Sequence, residues 1–184
     1  MLQGREGLAA AVLGGRLYAL GGVASIRAND SLKTVECYDA EKNVWETVAD
    51  MSTERWGGTA AVLDDKLFVM GGRNARQLNL ASVEYYERAS NEWKQVAPMN
   101  KGRYGHAAAV WNGRLYVMGG AGAGSSVESY DTERDEWVLE SSGNEATEEE
   151  GEVEAEAEAG GGGGVRIGKG CMCVDRRLHA AVSV

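Results

Sequence analysis

Short apolar runs, broken by glycine, asparagine and aspartate, fill the first 142 residues. Residues 106–111 form one run and residues 115–119 a second. Between them stand Asn112 and Gly113, a pair suited to the positive φ that a two-residue hairpin requires at both central positions. Gly14-Gly15 and Asp64-Asp65 hold the same place in two earlier segments. Leu115, Val117 and Gly119 alternate with Tyr116 and Met118, the pattern of a strand covered on both faces. Residues 126–131 predict a third strand. A turn of four to five residues then leads to a fourth around Trp137. Outside an acidic segment nearer the C-terminus no stretch has room for an uninterrupted helix, so the unit predicted is an all-β, four-stranded antiparallel meander.

The unit recurs, with its landmarks in fixed order. Met stands four residues before Arg at Met1/Arg5, Met51/Arg55, Met99/Arg103 and Met172/Arg176. Glycine pairs close an apolar run at Gly21-Gly22, Gly71-Gly72 and Gly119-Gly120. Val-Glu-x-Tyr follows, ending at Tyr38, Tyr86 and Tyr130, and then Trp45, Trp93 and Trp137. A period of 44 to 50 residues indicates a repeat architecture. One four-stranded sheet cannot bury both faces alone, and stacking such sheets as propeller blades is the stable solution. Glycine at a strand end permits close backbone approach and unusual φ. The periodic Tyr and Trp residues read as core.

LYALGG (17–22), LFVMGG (67–72) and LYVMGG (115–120), each followed by the Tyr and Trp above, resemble the kelch repeat family. The resemblance covers residues 1 to about 142 and resumes at Met172. It implies a kelch-type β-propeller segment: three blades (about 1–50, 51–98 and 99–142) and the first strand of a fourth (172–184). Kelch propellers usually have five to seven blades, so a fragment of a longer propeller, or self-association through open blade edges, is expected. The resemblance also implies a protein-interaction module, such as the substrate-recognition part of a ubiquitin-ligase adaptor or an actin-binding protein. The adaptor role usually needs a BTB domain, and this sequence has none. The rival implication is a fragment of a kelch-fold enzyme, such as a sugar oxidase or mutarotase.

Charge sharpens this picture. The formal net charge is −9, but residues 140–164 hold nine Glu and no Lys or Arg. The remainder is near neutral, which argues against a nucleic-acid surface. The spacing from Trp to the next Met is six residues in the first two repeats and 35 after Trp137. An acidic, glycine-rich insertion of 29 residues, 143–171, therefore interrupts the register. Its composition predicts disorder. No apolar run is long enough to span a membrane. Met1 already occupies the repeat's Met position, so a start in phase, without a leader, is expected. Three cysteines (Cys37, Cys171, Cys173) suit a reducing compartment, with the cytoplasm as the expectation. Cys171, Cys173 and His179 supply at most three ligands, and His179 matches the strand residue His106, so no metal is expected. The sequence offers no Ser-His-Asp arrangement, no HExxH and no GxxxxGK followed by Ser or Thr. No cofactor and no enzymatic activity are expected.

Strand connections alternate between two rims. The link between repeats and the loop after the glycine pair share one rim, so Arg5, Arg55, Arg103 and Arg176 join the loops there. The loops run over 23–34, 73–82 and 121–126, or 12, 10 and 6 residues. Variable loops on a fixed scaffold are a common basis for binding. In kelch proteins that bind peptides, arginines at this repeat position line the central pocket. The resemblance thus implies a site for a protein or peptide, acidic if it pairs with arginine. Arg27, Asn29, Asn74 and Arg76 on the loops complete the expected set. The alternative is architectural: each Arg ties its own blade to the next through backbone carbonyls. The acidic insertion leaves from the same rim, where its glutamates could serve as a ligand in place of a partner.

Overall fold

The computed structural model describes residues 1–25 and 30–141. Twelve strands form three antiparallel sheets of four, each in chain order, and no helix occurs among the described residues. The first sheet holds β1 (Ala9–Leu13), β2 (Arg16–Leu20), β3 (Val35–Asp39) and β4 (Val44–Thr47). The second holds β5 (Thr59–Leu63), β6 (Lys66–Met70), β7 (Val83–Glu87) and β8 (Glu92–Val96). The third holds β9 (Ala107–Trp111), β10 (Arg114–Met118), β11 (Val127–Asp131) and β12 (Glu136–Ser141). These are three propeller blades.

Turn chemistry explains why each meander closes where it does. All three hairpins between the first two strands of a blade have positive φ at both central residues, as at Asn112 (47°) and Gly113 (71°). The last hairpin of each blade uses one left-handed residue: Asn43, Asn91 or Asp135, with φ of 54°, 54° and 52°. The side chain of that residue then accepts the hydroxyl of the blade's tyrosine, at 2.7 Å from Tyr38, 2.9 Å from Tyr86 and 2.6 Å from Tyr130. The same tyrosines stack on Trp45, Trp93 and Trp137 at centroid separations of 5.1, 5.3 and 5.2 Å. One short turn thus fixes the pairing of a whole edge hairpin.

Blades join face to face, with β1 lying against β5 and β5 against β9. Tyr18, Leu20 and Cys37 of blade 1 pack on Leu67, Val69 and Tyr86 of blade 2. Leu63, Phe68 and Met70 of blade 2 pack on Leu115, Val117 and Tyr130 of blade 3. Polar ties repeat at both joints. Trp93 Nε1 donates to the Ala49 carbonyl at 2.9 Å, and Trp137 Nε1 to that of Ala97 at 3.0 Å. Ala49 N donates to Asn91 Oδ1 at 3.0 Å and Ala97 N to Asp135 Oδ1 at 2.8 Å. The glycine pair sits at the tightest point. Gly72 N donates to the Arg103 carbonyl at 2.9 Å, and a Cβ at Gly71 (φ 59°) would lie 2.6 Å from that same oxygen. Only a residue without Cβ fits there.

One expectation holds for one blade and not for the others. Leu67, Phe68, Val69 and Met70 are all buried, so β6 is covered on both faces. In β10 Leu115 and Val117 are buried, whereas Met118 is exposed and Tyr116 half-buried. Blade 3 has a neighbouring sheet on one face only among the described residues. Similarly, Trp137 is buried but Trp45 and Trp93 are half-buried.

Candidate functional site

The repeated arginines occupy the interior of their own blades. Arg55 is the clearest case. Its Nη1 donates to the carbonyls of Gly71 (2.7 Å) and Ser82 (3.1 Å), and its Nη2 to Ser82 Oγ (3.1 Å) and Glu84 Oε1 (2.8 Å). Arg5 makes the same set with Gly21, Thr34 and Glu36, and Arg103 with Gly119, Ser126 and Glu128. All three guanidiniums and their carboxylates are buried. Each glutamate also accepts two amides from its own blade's approach segment, as Glu84 does from Ser52 and Thr53. A planar five-donor fork suits this task.

The geometry bears on the acidic-peptide expectation for these arginines. Their fork is aimed inward and paired, so Arg5, Arg55 and Arg103 do not present free donors at the rim. The tie also differs from the architectural alternative, because the side chain bonds within its blade. The arginine's carbonyl, not its guanidinium, reaches the neighbouring glycine: Gly22 N donates to the Arg55 carbonyl at 2.9 Å. Burial holds the Arg55 guanidinium below its ordinary pKa range even though the Glu84 carboxylate acts in the opposite direction. For Glu36, burial pushes the carboxyl up, but the Leu2 amide and the Arg5 guanidinium outweigh this and hold it low.

The rim itself carries other cations. A cleft of about 380 Å³ is formed there by Lys33, Ser52, Thr53, Glu54, Asn74 and Arg76. Asn74 is buried and shapes its loop: its amide donates to the Glu54 carbonyl at 3.2 Å, and its Oδ1 accepts Arg76 N and Gln77 N. It positions Arg76, which is exposed. Next to Asn74 stands Arg73, a residue that the repeat reasoning passed over. Its guanidinium lies 5.0 Å from the Trp56 ring and 5.5 Å from the Tyr104 ring, and those rings meet edge to face at 5.1 Å. The strand positions equivalent to Arg73 are Val23 and Ala121, which bridge Glu6 and Tyr104 as Arg73 bridges Trp56. No carboxylate pairs with Arg73 among the described residues. Its sequence signal was the one arginine in that column of the repeat, placed opposite a tryptophan.

Arg27, Asn29 and Arg176 lie outside the described residues, as do the acidic insertion and the start of the fourth repeat. His106 is buried at the joint of blades 2 and 3, with Nε2 2.9 Å from Thr59 Oγ1. Burial, and then the nearby charges of Arg103 and Arg55, lower its pKa to about 4. Among the described residues no three His, Cys, Asp or Glu gather to hold a metal, and no helix is long and apolar enough to cross a membrane.

Comparison with known proteins agrees with this architecture. The model of the KLHDC2/KLHL20/DRC7 Kelch-repeats domain matches residues 7–174. An influenza virus NS1A-binding protein homolog of Xenopus laevis is 43% identical over 77 residues, 42% of this chain and 12% of that protein. Kelch-like protein 26 of Danio rerio is 43% identical over 61 residues, 33% of this chain and 10% of its own length. The F-box/kelch-repeat protein SKIP4 of Arabidopsis thaliana is 41% identical over 69 residues, 37% of this chain and 19% of its own. The chain thus spans between a tenth and a fifth of the length of these relatives. Three blades, each pinned by its own arginine–glutamate clamp, together with a family match that runs through most of the sequence, place the chain in the kelch repeat family.

Proposed function

We propose that this chain is a protein-interaction module whose loop rim takes an acidic segment of a partner. The observation that carries the reading is Arg73. Its guanidinium lies over Trp56 and Tyr104 with no carboxylate partner among the described residues, in contrast to the buried, glutamate-paired Arg5, Arg55 and Arg103. Aromatic faces hold a guanidinium in place while leaving its in-plane donors for a carboxylate. Arg76 and Lys33 on the adjoining cleft add positive charge beside it. Lys33 is held more loosely by Asp50, at 3.6 Å. A role as the substrate-binding part of a ubiquitin-ligase adaptor is the narrower form of this reading, supported by the likeness to a protein named for an F-box and kelch repeats. The free, buried thiol of Cys37 supports a reducing compartment, and we place the protein in the cytoplasm.

Fluorescence anisotropy with a labelled Asp/Glu-rich decapeptide and its Asn/Gln counterpart tests the proposal. The acidic peptide is expected to bind at least tenfold more tightly, and Arg73→Ala to remove most of that difference. Equal binding of the two peptides, or an unchanged affinity in Arg73→Ala, would sink it.

A further inference from the structure

We propose that the groove between blades 1 and 2, on the rim opposite the loops, is a binding site for a small aromatic carboxylate. Arg88 takes the carboxylate, and the ring rests beside Tyr18 in the space over Cys37. The site is separate from the loop rim and independent of what binds there.

The two described joints form the same groove with opposite charge. Between blades 2 and 3 it measures about 200 Å³, and Asp64 and Asp135 line it beside Lys66, Phe68, Tyr85 and Thr132. Between blades 1 and 2 it measures about 280 Å³ and is lined by Arg16, Tyr18, Cys37, Val48, Tyr86 and Arg88. At the turn positions of Asp64 and Asp135 this joint has Gly14 and Asn91. Two carboxylates have thus been withdrawn from the lining, and Thr132 has been replaced by Arg88. Complementary charge of this kind selects for an anion.

The place of the ring is read from the neighbouring joint. On β6 and β7 Phe68 stands opposite Tyr85, and the two rings lie 5.4 Å apart. Lys66 Nζ is 5.0 Å from the centre of the Tyr85 ring. The same register on β2 and β3 sets Tyr18 opposite Cys37, so a free thiol stands where blade 2 has a phenol ring. Arg16 holds the position of Lys66. A ring entering this space meets Tyr18 and Arg16, as Tyr85 meets Phe68 and Lys66. Tyr86 backs Tyr18 from blade 2, at a centroid separation of 5.8 Å. The available charge is that of Arg88. Arg16 is already shared by Asp39 at 3.1 Å and Glu46 at 3.8 Å, whereas no carboxylate pairs with Arg88 among the described residues. Arg88 is nevertheless held at the groove, because its Nη1 donates to the Gly14 carbonyl of blade 1 at 3.3 Å. A Cβ at Gly14 would collide with that guanidinium. A volume of about 280 Å³ lies just below the range of about 300–1,000 Å³ typical of drug-sized ligands, which suits one ring bearing one short acid.

Titration of the full chain with phenylacetate, followed by amide chemical shifts, tests the proposal. Binding in the roughly millimolar range is expected for so small a ligand. The shifts should gather at Arg16, Cys37 and Arg88 and spare Lys66, Tyr85 and Thr132. Phenylacetamide keeps the ring without the charge and acetate the charge without the ring, and each should bind about tenfold more weakly or worse. Arg88→Thr installs the blade 3 residue at an exposed position and should abolish the preference for phenylacetate over phenylacetamide. Cys37→Tyr gives blade 1 the ring of blade 2 and should abolish binding, with circular dichroism as the check on folding; should it not fold, Arg88→Thr decides alone. Arg73→Ala should leave phenylacetate binding unchanged, which separates this groove from the loop rim. No binding at about 10 mM phenylacetate would overturn the proposal. So would equal binding of the amide, a preference that survives Arg88→Thr, binding that survives in folded Cys37→Tyr, or binding lost in Arg73→Ala.

Discussion

Blade 2 and blade 1 carry nearly the same strand sequence, LFVM against LYAL, yet only blade 2 hides all of it. Leu67 sits between two sheets and is fully buried, whereas Leu17 in the same column faces outward. The local structure of the two strands is the same, with the same hairpin and the same register to the next strand. What differs is the neighbour. In a repeat protein of this kind a blade's secondary structure comes from its own sequence, while most of its hydrophobic stabilisation comes from the joints.

Predictions can break or sharpen that contrast. The clamp lies within a blade, so it should matter wherever it stands. Arg55→Ala removes one side of a buried ion pair and should cost about 3–5 kcal/mol, with Arg5→Ala in the outer blade costing a similar amount. Urea titration followed by tryptophan fluorescence measures both. A much cheaper Arg5→Ala would mean that the clamp, too, depends on the neighbouring blade. Leu67→Ala should cost about 2–5 kcal/mol, and Leu17→Ala less than about 1 kcal/mol. Equal costs would show that the joint is not what sets the value of this column.

The joint of blades 2 and 3 is distinguished by a titratable group. His106 has a native pKa of about 4 against an ordinary value of 6.5. Between those values the unfolded chain binds more protons than the native one, so stability is complete above pH 6.5 and falls as pH drops toward 4. Between about pH 7.5 and pH 5 the loss attributable to this ring should be about 2 kcal/mol. Comparing stability at the two values in His106→Asn with that of the parent isolates it. A slope that survives the substitution would assign the pH response elsewhere.

The blades were legible because their signals are local or periodic. Asn112-Gly113 and its counterparts state a φ requirement within two residues, and the Gly-Gly, Tyr and Trp columns state the repeat. The clamp was only half legible. Arg55 stands 29 residues from Glu84, and nothing local links them, although both recur at matched positions in every blade. The repetition was visible, but the direction of the guanidinium was not. Arg73 was missed for the opposite reason: periodic reading favours what recurs, and Arg73 occurs in one copy. Its stacking on Trp56 and Tyr104 draws on two different blades, a proximity that arises only after folding.

The clamp has one more consequence. Gly71 and Ser82, whose carbonyls Arg55 holds, are the residues at either end of a loop, and Gly21 with Thr34 and Gly119 with Ser126 frame the other two. A single side chain therefore stitches the mouth of each loop shut, whether it contains twelve residues or six. Apart from the loop residues that themselves bond to the blade, as Arg73 does to Trp56 and Asn74 to Glu54, what is strung beyond the stitch is relieved of closing the sheet. New segments can be grafted there, lengthened or exchanged, while the fabric beneath keeps its weave.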